Sequence, residues 1–121
     1  MSNVSPSLIR RMAQEAQTKG IGLLDAAVSG IVRVAEAGEL TIMVGGKESL
    51  FIQCQPIFRA MGKIIFHMGD VGMGMVCKLA KNLIASANIV AATEGLAAGV
   101  KAGVKLDKLL EVLIRPYSGM R

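Results

Sequence analysis

Apolar residues recur along this chain with two periods. Ile9, Met12 and Ala16 fall at helical spacing behind Ser5-Pro6. A serine hydroxyl can accept from the unpaired N–H groups of a first helical turn, and proline lacks a donor that this turn cannot use, so a helix is expected to start there. Gly20 stands where such a helix would end in a left-handed residue. Residues 21–24 are a short apolar run, read as a buried strand ending at Asp25, and residues 30–38 have no period and read as loop. Residues 40–44 predict a second strand, closed by Gly45-Gly46. Lys47-Glu48-Ser49 open a helix that continues through Phe51, Ile52 and Phe58 to about Ala60. Pro56 removes a backbone donor inside it and is expected to kink or shorten it. Residues 63–67 predict a third strand, followed by a glycine-rich turn at 69–74. From Met75 to about Ala102 the pattern is helical and apolar on most sides, with Gly95 and Gly99 weakening its second half. A short helix over 106–113 follows Gly103, with Asp107 favourably near its start.

The order is helix, strand, strand, helix, strand, long helix, short helix: an α/β chain whose three short strands read as the closing part of a larger sheet. The 121 residues suffice for one domain. The chain is 52% hydrophobic with a mean hydropathy of +0.50, high for a small domain, which leaves a large share of its surface in water. The apolar excess is therefore expected to be buried against a second copy, as a homo-oligomer and most simply a dimer.

Charge narrows the function further. The net charge is +5, but only Arg10-Arg11 are adjacent, and the aromatics are three Phe and one Tyr. Nucleic-acid binding needs concentrated basic charge and often stacking aromatics, so no nucleic-acid partner is expected. Cys54 and Cys77, with His67 as the one histidine, are too few for a zinc site, and no metal is expected. The first eleven residues have no secretory apolar stretch, so the thiols are expected to stay reduced in the cytoplasm. The longest apolar run, 83–92, is broken by Ser86 and Asn88 and reads as too short and too polar to span a membrane.

Three motifs carry candidate chemistry. Asp25-Ala26-Ala27-Val28-Ser29-Gly30 places small residues and a hydroxyl after a strand. Such a loop can hold a carboxylate through Ser29 and the backbone at Gly30; it can equally be an ordinary turn. Lys78 and Asn82 lie four apart in the long helix and share a face. A lysine among apolar positions needs a polar partner, and there it suits acid–base work, with Asn82 orienting the same substrate. A solvated stripe, to which Lys81 would belong, is the plain alternative. Gly72-Met73-Gly74 resembles half of a dinucleotide fingerprint, but Cys77 fills its third position and no strand follows the helix. Gly72 and Gly74 are thus weak candidates for cofactor binding; a tight turn with close backbone approach explains them better.

Together these motifs resemble the β-hydroxyacid dehydrogenases, the 3-hydroxyisobutyrate dehydrogenase family. That family has a D-x-P-V-S-G-G substrate loop, matched by Asp25, Val28, Ser29 and Gly30, and a G-x-G-x-x-x-K-x-x-x-N motif, matched by Gly72, Gly74, Lys78 and Asn82. Residues 37–46 resemble its A-G-x-L-T-x-M-V-G-G stretch, and Met61-Gly62-Lys63, His67-Met68-Gly69, Ala102-Gly103 and Ser118-Gly119 also match. The departures are Ala27 for the usual proline, Ile31 for the second glycine, expected to crowd the loop, and Lys81 for a common asparagine, which adds a second positive charge.

The resemblance implies NAD- or NADP-dependent oxidation of a 3-hydroxy acid. Ser29 and Gly30 would hold the substrate carboxylate, Lys78 would be the catalytic acid–base group, and Asn82 would orient the substrate. Residues 1–70 would be the C-terminal part of a Rossmann-like NAD(P)-binding domain, its closing strands. Residues 71–121 would be the long interdomain helix and the start of an all-helical domain. The chain then reads as an internal fragment lacking the N-terminal dinucleotide unit and most of the helical domain, binding no cofactor and catalysing nothing alone. A different class of reading is a stand-alone self-associating structural or small-carboxylate-binding protein derived from such an enzyme, with a small 3-hydroxy carboxylate as the candidate ligand.

Overall fold

The computed structural model describes residues 4–115; Tyr117 and the Ser118-Gly119 match lie outside them. The elements are α1 (Pro6–Thr18), β1 (Asp25–Ser29), α2 (Val32–Glu36), β2 (Leu40–Gly45), α3 (Glu48–Met61), β3 (Gly62–His67), α4 (Met73–Lys101) and α5 (Leu106–Leu113). By contact density the chain divides into two compact units, Met1–Asn82 and Leu83–Arg121, so the division falls inside α4.

The sheet order is β1-β2-β3. β1 pairs antiparallel with β2, from Asp25 opposite Gly45 to Ser29 opposite Thr41, and β2 pairs parallel with β3. β2 is central and covered on both faces, which explains its consecutive buried apolar residues Ile42-Met43-Val44. Its alternate side chains divide the core. Ile42 and Val44 pack with Phe51 and Phe58 of α3. Met43 packs on the other face with Ile9 of α1, Ala27 of β1 and Met75 of α4. At the start of α1 the Ser5 hydroxyl accepts from the Leu8 N–H at 3.2 Å, as expected of that cap.

Two segments differ from their sequence patterns. The first strand is Asp25–Ser29 rather than 21–24. The Ile21 N–H is already committed, donating to the Ala16 carbonyl at 2.9 Å while Gly20 donates to Gln17; the run therefore finishes α1 instead of starting a strand. Residues 30–38 are not all loop, since α2 occupies five of them. It closes in the same way: Gly38, at φ +68°, donates to Ala35, and Glu39 donates to Val34. A helix this short shows no apolar period, but its terminating glycine was readable.

The longer helices follow their patterns. Pro56 lies inside α3 without shortening it. The carbonyl that Pro56 leaves without a helical donor belongs to Ile52, which faces solvent. α4 runs unbroken for 29 residues, about 43 Å, past Asn88, Gly95 and Gly99. The helix expected over 75–102 is thus continuous, and it extends well beyond the apolar run 83–92 on which the span was judged too short and too polar. By length and composition α4, with a window of mean hydropathy 1.5, is long and apolar enough to cross a membrane.

Candidate active site

The site is built by the side-by-side course of β1 and the first turns of α4, all within residues 1–82. Asp25 begins it. Its carboxylate, 6% exposed, accepts from the Gly72 N–H through Oδ1 and from the Met75 N–H through Oδ2 at 2.8 Å. A carboxylate at this position satisfies donors that a helix N-terminus leaves unpaired and complements its dipole. It also fixes where β1 and α4 lie against each other.

Further along the same pair of elements, Lys78 Nζ donates to the Val28 carbonyl at 2.7 Å. Lys81 Nζ donates to Ser29 Oγ at 2.9 Å. Residues 25, 28 and 29 of the strand thus meet residues 72–75, 78 and 81 of the helix in order. Lys78 and Ser29 are half-buried, whereas Lys81, Gly30 and Asn82 are exposed. Two ammonium groups therefore sit on consecutive strand residues beside the Ser29 hydroxyl. Among the described residues, the ion pairs are Lys63–Glu39, Lys108–Glu111 and Arg115–Glu111, and none involves Lys78 or Lys81.

The structure places the Lys78 ammonium on the Val28 carbonyl, one strand residue before Ser29, and it is Lys81 that bonds the Ser29 hydroxyl. Asn82 lies one turn beyond Lys78 with no hydrogen bond to the rest of the site among the described residues. Ile31 does not crowd the loop, because it is 70% exposed ahead of α2. Asp25 and Lys81 are the two participants that sequence reasoning undervalued. Their partners lie 47 to 52 residues away, so no local spacing announces them.

Gly72 and Gly74 do not fit a dinucleotide pyrophosphate. The anion position at this helix start is filled by the chain's own Asp25, which takes the Gly72 and Met75 donors. A methyl group added at Gly74 would run into the Met43 carbonyl oxygen and lie 2.9 Å from Asp25 Oδ2 and 3.0 Å from the Gly45 nitrogen. These glycines let α4 approach the sheet. A cavity of about 400 Å³ lies ahead of β1, lined by Gln17, Gly20, Lys47 and Ser49 among others; it includes neither Ser29 nor Lys78.

Comparison with known proteins places the chain in a family. The family model described as the NAD binding domain of 6-phosphogluconate dehydrogenase matches residues 1–69. The one described as NAD-binding of NADP-dependent 3-hydroxyisobutyrate dehydrogenase matches residues 72–118. The chain is 45% identical over 113 residues to 2-(hydroxymethyl)glutarate dehydrogenase of Eubacterium barkeri, covering 93% of this chain and 38% of that protein. It is 40% identical over 118 residues to 3-hydroxyisobutyrate dehydrogenase of Pseudomonas aeruginosa, covering 98% and 40%. The Mycobacterium tuberculosis 3-hydroxyisobutyrate dehydrogenase, solved with L-serine, superposes with a TM-score of 0.89 at 30% identity, over 98% of this chain and 41% of that one. The chain thus spans about two fifths of the length of these relatives. The superposition gives its three strands the place of the closing strands of a Rossmann-type sheet, and the resemblance gives NAD or NADP as the family cofactor. Motif, geometry and ancestry agree: the chain belongs to the β-hydroxyacid dehydrogenase family.

Proposed function

We propose that these 121 residues carry the substrate-binding and proton-transfer side of a 3-hydroxy acid dehydrogenase site. The observation that carries the reading is the Lys78 ammonium held 2.7 Å from the Val28 carbonyl, beside Ser29. An ammonium has three donors. One is spent on Val28, which fixes the group in place and leaves the others for a substrate oxygen. In the oxidation direction Lys78 takes the proton of the substrate hydroxyl, and the hydride on the same carbon would pass to NAD or NADP as the carbonyl forms; in reduction Lys78 returns the proton. Ser29 and Gly30 hold the substrate carboxylate, and Asn82 orients the substrate from one turn further along α4. The dinucleotide is carried by residues outside this segment, so the segment alone does not catalyse the reaction.

A second reading is supported by a different observation. Leu83, Ile84, Ile89 and Val90 of α4 are each more than half exposed. Such a surface favours self-association, as a dimer, with the Ser29 loop retained as a small-carboxylate site. The free thiols Cys54 and Cys77 accord with a reducing, cytoplasmic setting under either reading.

The test is to join the chain to the dinucleotide-binding segment of a relative and assay 3-hydroxyisobutyrate oxidation with both NAD and NADP. Activity is expected, and Lys78→Ala should lower it by about 10²–10⁴-fold. Equal activity of Lys78→Ala and the parent would end the catalytic assignment.

A further inference from the structure

We propose that Lys81 is the charge partner of the substrate carboxylate, forming with the Ser29 hydroxyl a two-point anion clamp. The inference rests on the reading of Ser29 as a carboxylate-binding residue. An ammonium can only donate, so the 2.9 Å bond from Lys81 Nζ to Ser29 Oγ has one direction. The serine oxygen accepts, and its own O–H is left to donate elsewhere. Lys81 keeps two further N–H donors beside it. A carboxylate offers two oxygens that only accept. One can take the Ser29 O–H and the other a Lys81 N–H, both bonds directed at an ionised acceptor.

Lys78 does not compete for this duty. It is held one strand residue earlier, on the Val28 carbonyl. Successive strand residues rise by about 3.3 Å, a distance comparable to that between the hydroxyl and the carboxylate of a 3-hydroxy acid. The two lysines therefore divide the two functional groups, proton transfer at Lys78 and charge at Lys81. An unrestrained surface lysine contributes little to binding. Lys81 is held against Ser29 before any ligand arrives, and no ion pair among the described residues neutralises it. Asparagine, which is common at this position in the family, has no charge to offer there.

The experiment is an NMR titration of the full 121-residue chain, following the Ser29 and Gly30 amides, with 3-hydroxyisobutyrate and with its uncharged methyl ester. Lys81→Met keeps the stem and removes the ammonium, and it should weaken binding of the acid by about tenfold while leaving that of the ester unchanged. Lys81→Arg should recover most of the loss. Lys19→Met, which removes the same charge from an exposed position at the end of α1, should change the acid's affinity by about twofold at most. The clamp is refuted if Lys81→Met binds the acid as tightly as the parent, if acid and ester lose affinity alike, or if Lys19→Met loses as much. If neither probe shifts Ser29 or Gly30 in the parent chain, the reading of Ser29 itself fails, and the clamp fails with it.

Discussion

A single carboxylate sets the geometry of the site. Asp25 binds two backbone N–H groups at the start of α4 while belonging to β1, so it holds together the elements that carry Ser29 and Lys78. Replacing it with alanine strands two buried donors, and Asp25→Ala should lower stability by about 2–4 kcal/mol. Asp25→Asn, which keeps one acceptor, should lose less. Urea unfolding would show this as a fall in midpoint at constant slope; an unchanged midpoint in Asp25→Ala would contradict the role. Lys78 and Ser29 were legible in the sequence because each lies in a short motif whose spacing is visible locally. Asp25 was read as the end of a strand and the first residue of the substrate-loop motif, and Lys81 as an added charge or part of a solvated stripe; neither was given a partner. Their functions depend on bonds to residues about fifty positions away, which the register of the fold creates.

Among the elements, α4 shows how position decides the sign of a substitution. Gly74 packs against backbone atoms of β2, which cannot move aside for a methyl group. Gly74→Ala should therefore push the helix from the sheet and destabilise by about 1–3 kcal/mol, although alanine is the better helix former. Gly95 has nothing within 4 Å of an added methyl. There the intrinsic preference acts alone, and Gly95→Ala should stabilise the helix by about 0.8–1 kcal/mol. Thermal unfolding of the pair would test both, and the same direction of change in both variants would refute the argument. Sequence pattern located the long helices and the two later strands within a few residues, since each has a period or an apolar run of its own. It missed α2, which has neither, and displaced β1, because residues 21–24 are as apolar as a strand while Ile21 is claimed by the end of α1.

For the molecule as a whole, apolar surface is the dominant unpaid term. Leu83, Ile84, Ile89 and Val90 are exposed along α4, and Val112, Leu113 and Ile114 are exposed at α5. In water such a surface favours association over solvation. Sedimentation equilibrium at micromolar concentration should show a dimer or larger, and Ile84→Glu with Ile89→Glu should shift it towards monomer. A parent chain that sediments as a monomer would rule this out. The composition had already pointed to this excess; where it falls became clear only once α4 was placed.

The partner of Lys78 is a main-chain carbonyl, and this has an evolutionary consequence. Every residue type supplies that oxygen, so the lysine's anchor does not depend on the side chain of residue 28, which packs instead against the core of Ile42, Val44, Phe51 and Phe58. Successive carbonyls along a strand point to opposite sides, and those of β1 are ordered by its ladder with β2, Val28 opposite Ile42. Inserting or deleting one residue in β1 would turn the oxygen away from Lys78 and move the hydroxyl of residue 29 out of reach of Lys81. In divergent relatives this strand should accept an exchange of one apolar residue for another at position 28 more readily than a change in length.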